Sequence, residues 1–198
     1  MTALDMTAPG AATLDVEAIG VRAVNQRLHA PVADTGHSSW RLSNPMGAHA
    51  IAAGLTQAMD VHIDGHVGYY CAGMNQQAAV TIDGHCGWGV AENMMSGVVR
   101  VTGNASQAAA ASGHGGLVII EGDAGHRCGI SMKGIDIVVG GSIGHSSSPF
   151  CETTFSKCAA TTRPRYNRQS ASGERCPSSL QSNQVVALCK IGIPVTAL

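Results

Sequence analysis

The segment "VHIDGHVGYYCAGMNQQAA" (residues 61–79) is followed at once by "VTIDGHCGWGVAENMMSGV" (residues 80–98), a near copy 19 residues on. Aligned on glycine, the spacing reaches well beyond this pair. Gly65, Gly84, Gly103, Gly122 and Gly141 stand 19 apart, and Val61, Val80, Val99, Val118 and Ile137 precede them by four residues each. Ile63, Ile82, Val101, Ile120 and Val139 fill a third column. Gly68, Gly87, Gly125 and Gly144 fill a fourth, with Ser106 in place of glycine in the middle copy. Five copies of apolar-x-apolar-x-Gly without insertion or deletion constitute a repeat, and repeats of this length mark solenoids and related arrays.

Each unit is a short β-branched strand with alternating apolar residues, closed by glycine. One such strand cannot bury its apolar face alone. Stacking the copies in register as parallel strands, about 4.8 Å apart, lines the apolar columns inward. Every added coil then buries at least two branched side chains, worth about 1.5–3 kcal/mol apiece before chain entropy is counted. Glycine belongs at the corners, where the chain needs a positive φ or a close approach of backbone. The expected fold is all-β: a single-stranded parallel β-helix with 19-residue coils.

The pattern divides the chain into three. Residues 42–60, "LSNPMGAHAIAAGLTQAMD", fit one further coil less well, with Met46 where glycine would stand. Upstream, residues 15–30 place Val21, Val24 and Leu28 on one helical face, so a short helix is expected to cover the first coil's open edge. This gives an N-terminal cap over residues 1–41 and a β-helix over residues 42–147. Residues 148–198 form an irregular basic tail. From Ser146 onward only Gly173 and Gly192 remain of the chain's 25 glycines, while four of the seven Cys and six Lys/Arg against two Glu gather there. Such a tail fits either a separate basic appendage, disordered by itself, or translation in a shifted reading frame.

Composition narrows the function classes. Charged residues are 13% of the chain and the formal net charge is −1, so no basic footprint for nucleic acid is present. No apolar run approaches the length of a membrane span, and Met-Thr-Ala-Leu-Asp lacks the charged start of a signal peptide. Seven Cys without a CxxC spacing suit reduced thiols, and the expected compartment is the cytoplasm.

Chemistry-bearing residues fall in columns. Asp64 and His66 align with Asp83 and His85 in adjacent coils, close enough on stacking for two His to share a metal. The columns then drift, His to Asn104 and Asp123, Asp to Thr102 and Glu121, which favours solvated corners over a ligand set. His126 and His145 share a column with Tyr69, Trp88 and Gln107, an expected external ladder suited to ring stacking or to a partner interface. Cys86 shares its column with Val67, Ala105, Ala124 and Ile143 and reads as a small core residue. No catalytic, cofactor-binding or metal site is assigned to this chain.

The stretches "NPMGAHAIAAGL", "GHVGYYCAGM", "GVAENMMSG", "SGHGGLVIIEGDAGHRCGISMKG" and "IVVGGSIGH" carry a family resemblance, over about residues 15–147. They resemble the Gly-x-Gly-x-Gly β-helix domain at the C-terminus of the glutamate synthase large subunit. The likeness is greater to the stand-alone version of that domain in N-methylglutamate synthase; the formylmethanofuran dehydrogenase C subunit shares the repeat more distantly. The resemblance implies a non-catalytic scaffold that holds a glutamine amidotransferase subunit and an FMN-binding synthase subunit. FMN and an iron–sulfur cluster would then belong to the partner, and nitrogen would pass to 2-oxoglutarate. A left-handed β-helix acyltransferase is the alternative enzyme reading, but its hexapeptide units give coils in multiples of about six. A self-assembling structural β-helix is a third reading.

Overall fold

A computed structural model describes residues 11–147 and 158–160. Its sheet runs in chain order, every strand parallel to the next. β1 is Ala12–Asp15, β2 Ser39–Ser43, β3 Asp60–Asp64, β4 Ala79–Asp83, β5 Val98–Val101, β6 Leu117–Ile120 and β7 Asp136–Val139. From β3 to β7 the register advances by 19 residues without slip, as in Val61↔Val80, Val99↔Val118 and Val118↔Ile137. The architecture is the parallel β-helix that the glycine spacing predicts. A further strand, β8 (Cys158–Ala160), pairs with β7 at a 21-residue offset through Ile137↔Cys158. The remainder of the expected tail lies outside the described residues.

Three walls enclose the core. The sheet wall contributes Val61, Val80, Val99, Val118 and Ile137, and beside them Ile63, Ile82, Val101, Ile120 and Val139, all buried. A line of parallel bridges, Val67↔Cys86↔Ala105↔Ala124↔Ile143, forms the second wall. Ile51, Cys71, Val90, Ala109 and Cys128 face inward from the third. Small residues pack against large ones along the axis. A Cβ on Gly113 would meet the Ile135 side chain at 2.7 Å, and one on Gly116 would meet Met94 Cε at 2.7 Å. Asn75 is the buried polar residue of this core, and it satisfies itself locally: Nδ2 donates to the Ala78 carbonyl (2.8 Å) and Oδ1 accepts from the Ala78 N–H (3.2 Å).

The corner glycines have a different cause from the one sequence suggests. Of Gly65, Gly84, Gly103, Gly122 and Gly141, only Gly65 takes a positive φ, 124°. The others are excluded from carrying a side chain by the preceding coil. A Cβ on Gly84 would stand 2.7 Å from both the carbonyl carbon and oxygen of Gly65, and one on Gly144 would stand 2.7 Å from the carbonyl carbon of Gly125. Successive coils approach through bare backbone, which only glycine permits.

Positive φ is concentrated instead on the third wall, mostly without glycine. Ala50, Tyr70, Gly89, Ala108, Arg127 and Ser146 form one left-handed column; Ala52, Ala72, Ala91, Ala110 and Gly129 form a second. Gly54, Met74, Asn93, Ser112 and Ser131 form a third. Each non-glycine residue in this state costs about 1–2 kcal/mol. The cost is offset by inter-coil hydrogen bonds that alternate in direction. Tyr70 N–H reaches forward to the Trp88 carbonyl (2.8 Å), Ala72 N–H back to Ile51 (3.0 Å), and Met74 N–H forward to Glu92 (2.7 Å). The next coil repeats the scheme with Gly89 to Gln107, Ala91 to Cys71 and Asn93 to Ala111.

The first coil starts earlier than the sequence register proposes. β2 pairs Trp40↔Val61 and Leu42↔Ile63, a 21-residue offset, so Ser39–Ser43 is a coil strand that crosses the expected cap boundary at residues 41 and 42. β1 then stacks on β2 through Ala12↔Trp40 and Leu14↔Leu42, a strand the periodicity did not reveal. The helix α1 (Val16–His29) occupies the expected place, with Val24 and Leu28 buried and Val21 packed against the core. It is interrupted at Gly20, whose φ of 77° and ψ of 154° are not helical. Asp15 caps it, accepting from the Ala18 N–H at 3.0 Å, and a four-residue turn, α2 (Val32–Thr35), follows.

Candidate functional site

The polar columns flanking the corner glycines sit on the outside of the solenoid. His66 and His85 stack with ring centroids 4.8 Å apart and planes 19° from parallel. Their Nδ1 atoms are already engaged: His66 Nδ1 accepts the His85 N–H (2.9 Å), and His85 Nδ1 accepts the Asn104 N–H (2.8 Å). The column continues in the same role where the residue type changes. Asn104 Oδ1 accepts the Asp123 N–H (2.9 Å), and Asp123 Oδ1 accepts the Ser142 N–H (2.7 Å). His, Asn and Asp are thus equivalent here because each offers an acceptor at the same reach from Cα.

That use decides what the histidines can do. An Nδ1 that accepts a backbone N–H carries no hydrogen, so each neutral ring holds its proton on Nε2. A metal needs a free nitrogen lone pair, and neither ring offers one without breaking its inter-coil bond. Among the described residues no group of three or more His, Cys, Asp or Glu is placed to hold a metal ion.

The acidic column is occupied by neighbours along the sheet. Asp64 Oδ2 accepts from Arg41 Nε (2.6 Å), and His62 Nε2 lies 3.1 Å from Asp64 Oδ1. Asp83 Oδ1 accepts from Thr102 Oγ1 (2.9 Å), and Glu121 pairs with Arg100 at 2.6 Å. These groups remain partly in water, where such pairs contribute little stability. Asp64 and His66 therefore serve different neighbours and do not converge on one point.

The ring ladder is external. Tyr69 and Trp88, each 50% exposed, stack at 5.5 Å and 22°. His49 extends the stack beneath Tyr69 at 4.4 Å and 6°, and its Nδ1 accepts the Tyr69 N–H (3.0 Å). Sequence spacing missed His49 because it lies 20 rather than 19 residues before Tyr69. Further along the column, His126 and His145 meet at 3.9 Å with planes tilted by 42°. Because ring faces cover one another, the ladder presents ring edges to its surroundings.

The thiols point away from catalysis. Cys71, Cys86 and Cys128 are buried and unpaired with one another. Burial pushes the Cys86 thiol up to about 12; Cys71 is raised further, first by burial and second by the neighbouring Cys86. A nucleophilic cysteine needs the opposite shift. No helix of the described residues is long and apolar enough to cross a membrane.

Comparison with known proteins gives a part-length likeness. No protein-family model matches the chain, and no solved structure matches it. Over 59 residues, 30% of this chain, it is 51% identical to "Protein GlxC" of Rhizobium meliloti (strain 1021), and the match covers 26% of that protein. The chain thus spans about a quarter of the length of this relative.

Proposed function

We propose that this chain is a non-catalytic scaffold subunit of a glutamate-synthase-like oxidoreductase complex, of the N-methylglutamate synthase type. In this reading it holds a glutamine amidotransferase subunit and an FMN-dependent synthase subunit in register for nitrogen transfer to 2-oxoglutarate. The observation that carries the reading is the use of the polar columns. His66, His85, Asn104 and Asp123 all give their acceptors to the next coil's backbone, so the repeat's polar residues build a rigid rod rather than a reaction centre. The coil motifs resemble the Gly-x-Gly-x-Gly domain, and the part-length likeness to Protein GlxC supports a glutamate-synthase-like affiliation at that coarser level. FMN and an iron–sulfur cluster are assigned to the partner, and the cytoplasm to the assembly.

Affinity purification of the tagged chain from its native host tests the reading. The expected result is co-purification of an amidotransferase and an FMN protein, with no flavin on the chain expressed alone. Replacing Tyr69 and Trp88 by Ala should release partners seated on the ring ladder without lowering the chain's own melting temperature. Stoichiometric flavin on the isolated chain, or its purification without either partner, overturns the proposal.

A further inference from the structure

The N-terminal end of the solenoid contains a donor without an acceptor. Trp40 points into the core from β2 and is 4% exposed, yet its Nε1–H finds no hydrogen-bond partner among the described residues. A buried, unsatisfied N–H costs about 1–3 kcal/mol, and such groups in native proteins call for an explanation. Trp40 lines a cleft of about 690 Å³ between β1 and α1, a size within the usual range for small-molecule sites. Ala12 lies directly over Trp40 in the sheet, and its small side chain leaves the indole reachable.

The chemistry of the lining is one-sided. Ala12, Leu14, Ala23 and Ala30 supply an apolar wall; Arg27, Gln26, His37, Thr13 and Thr35 supply the polar groups, and no carboxylate is among them. His37 packs edge-on against the Trp40 indole, with centroids 5.7 Å apart and planes at 72°. A guanidinium at the rim, a desolvated N–H on the floor and aliphatic walls between them suit one ligand class. We infer that this cleft binds a small organic carboxylate, its oxygens held by Arg27 and Trp40 Nε1–H and its apolar body laid against Ala12, Leu14 and Ala23. The inference is independent of the scaffold role, which concerns other faces of the rod.

The Trp40 indole N–H resonance tests it directly. The chain has two Trp, and a W88F variant leaves one indole signal, that of Trp40. Titration of the full chain with benzoate should shift this signal saturably and slow its exchange with deuterium, while benzamide, the neutral isostere, should bind much more weakly. R27Q should weaken benzoate binding about tenfold or more, because the charge-assisted contact is lost. R22Q, on the same helix but outside the cleft, should leave the affinity unchanged. Three results overturn the inference: no shift at millimolar benzoate, equal binding by R27Q, or an indole N–H that becomes exchangeable only when residues 1–10 are deleted. The last would make the chain itself the acceptor.

Discussion

The regular coils from β3 to β7 and the N-terminal end built from β1, α1 and β2 solve one problem in two ways. Each must satisfy a backbone ladder that faces along the solenoid axis. In the regular coils the partner is an identical coil, so backbone meets backbone at a fixed interval. At the N-terminal end a helix lies over the first coil, and helical backbone has no groups to spare along its flank. Side chains substitute for the missing coil. Asn25 Nδ2 donates to the Ala50 carbonyl (2.7 Å) while its Oδ1 accepts the Ala52 N–H (2.9 Å), so one amide imitates a peptide unit. His29 Nε2 lies 2.8 Å from the Ala53 carbonyl, and Gln57 Nε2 donates back to the Ala30 carbonyl (3.2 Å). Repetition fixes the middle of the rod, and individually chosen side chains fix its end.

The largest expected effect lies in the glycines, where the two regions differ in kind. Gly84→Val places branched carbon against the Gly65 backbone and should cost about 3 kcal/mol or more, or abolish cooperative folding. Gly20→Ala in α1 meets nothing within 4 Å and is strained only by its φ of 77°, so it should cost about 1–2 kcal/mol. Thermal and urea melts of both variants check the order; a costlier Gly20→Ala would mean that close coil approach is not what selects glycine.

Asn25→Leu comes next. It removes the imitation peptide and leaves the Ala50 carbonyl and Ala52 N–H unsatisfied, for an expected loss of about 1–3 kcal/mol. Hydrogen exchange should rise at Ala52 well before it rises at Ala91, whose bond runs to the Cys71 carbonyl of the preceding coil. Uniform loss of protection along the rod would show that cap and coils unfold as one unit.

A smaller effect is expected in the acceptor column. His85→Leu should cost about 1 kcal/mol by orphaning the Asn104 N–H, whereas His85→Asn should be nearly neutral, since Asn104 already performs the same task one coil on. Equal destabilisation by both, read from urea midpoints, would assign the loss to ring stacking with His66 rather than to the hydrogen bond.

The smallest effect concerns pH. Asp15 is held below its ordinary value of 3.8, chiefly by the Ala18 N–H and then by the Asn44 side chain. A carboxylate with a depressed folded-state pKa contributes stability that is fully present above its unfolded pKa and is lost as pH falls through the folded one. Asp15→Asn should therefore flatten the acid limb of the stability profile slightly below pH ~4, leaving the neutral region of its shape unchanged. An unchanged acid limb would mean the cap is already open there.

Much of the coil was legible in the residues because its inward columns are repeated five times, and burial of Val, Ile and Ala at a fixed interval leaves a direct mark on sequence. The acceptor column was visible as His66 and His85 but misleading as chemistry, since paired His suggest metal until Asn104 and Asp123 are seen to do the same work. The first coil was harder to read. Its offset is 21 residues at β2 and nearer 20 at His49, so a search at one fixed period misplaces it and overlooks β1 altogether.

By itself the sequence determined the period, the inward-facing residues and the positions from which side chains are barred. Those depend on local pattern and on volume, which every coil restates. Only the tertiary structure decided that the corner glycines answer to backbone approach, that Ala72, Ala91 and Ala110 accept left-handed φ, and that Trp40 keeps an unspent donor. Each is a property of one coil held against another. Left-handed alanine is unfavourable alone and becomes affordable only when the neighbouring coil supplies the hydrogen bond that the strained residue donates.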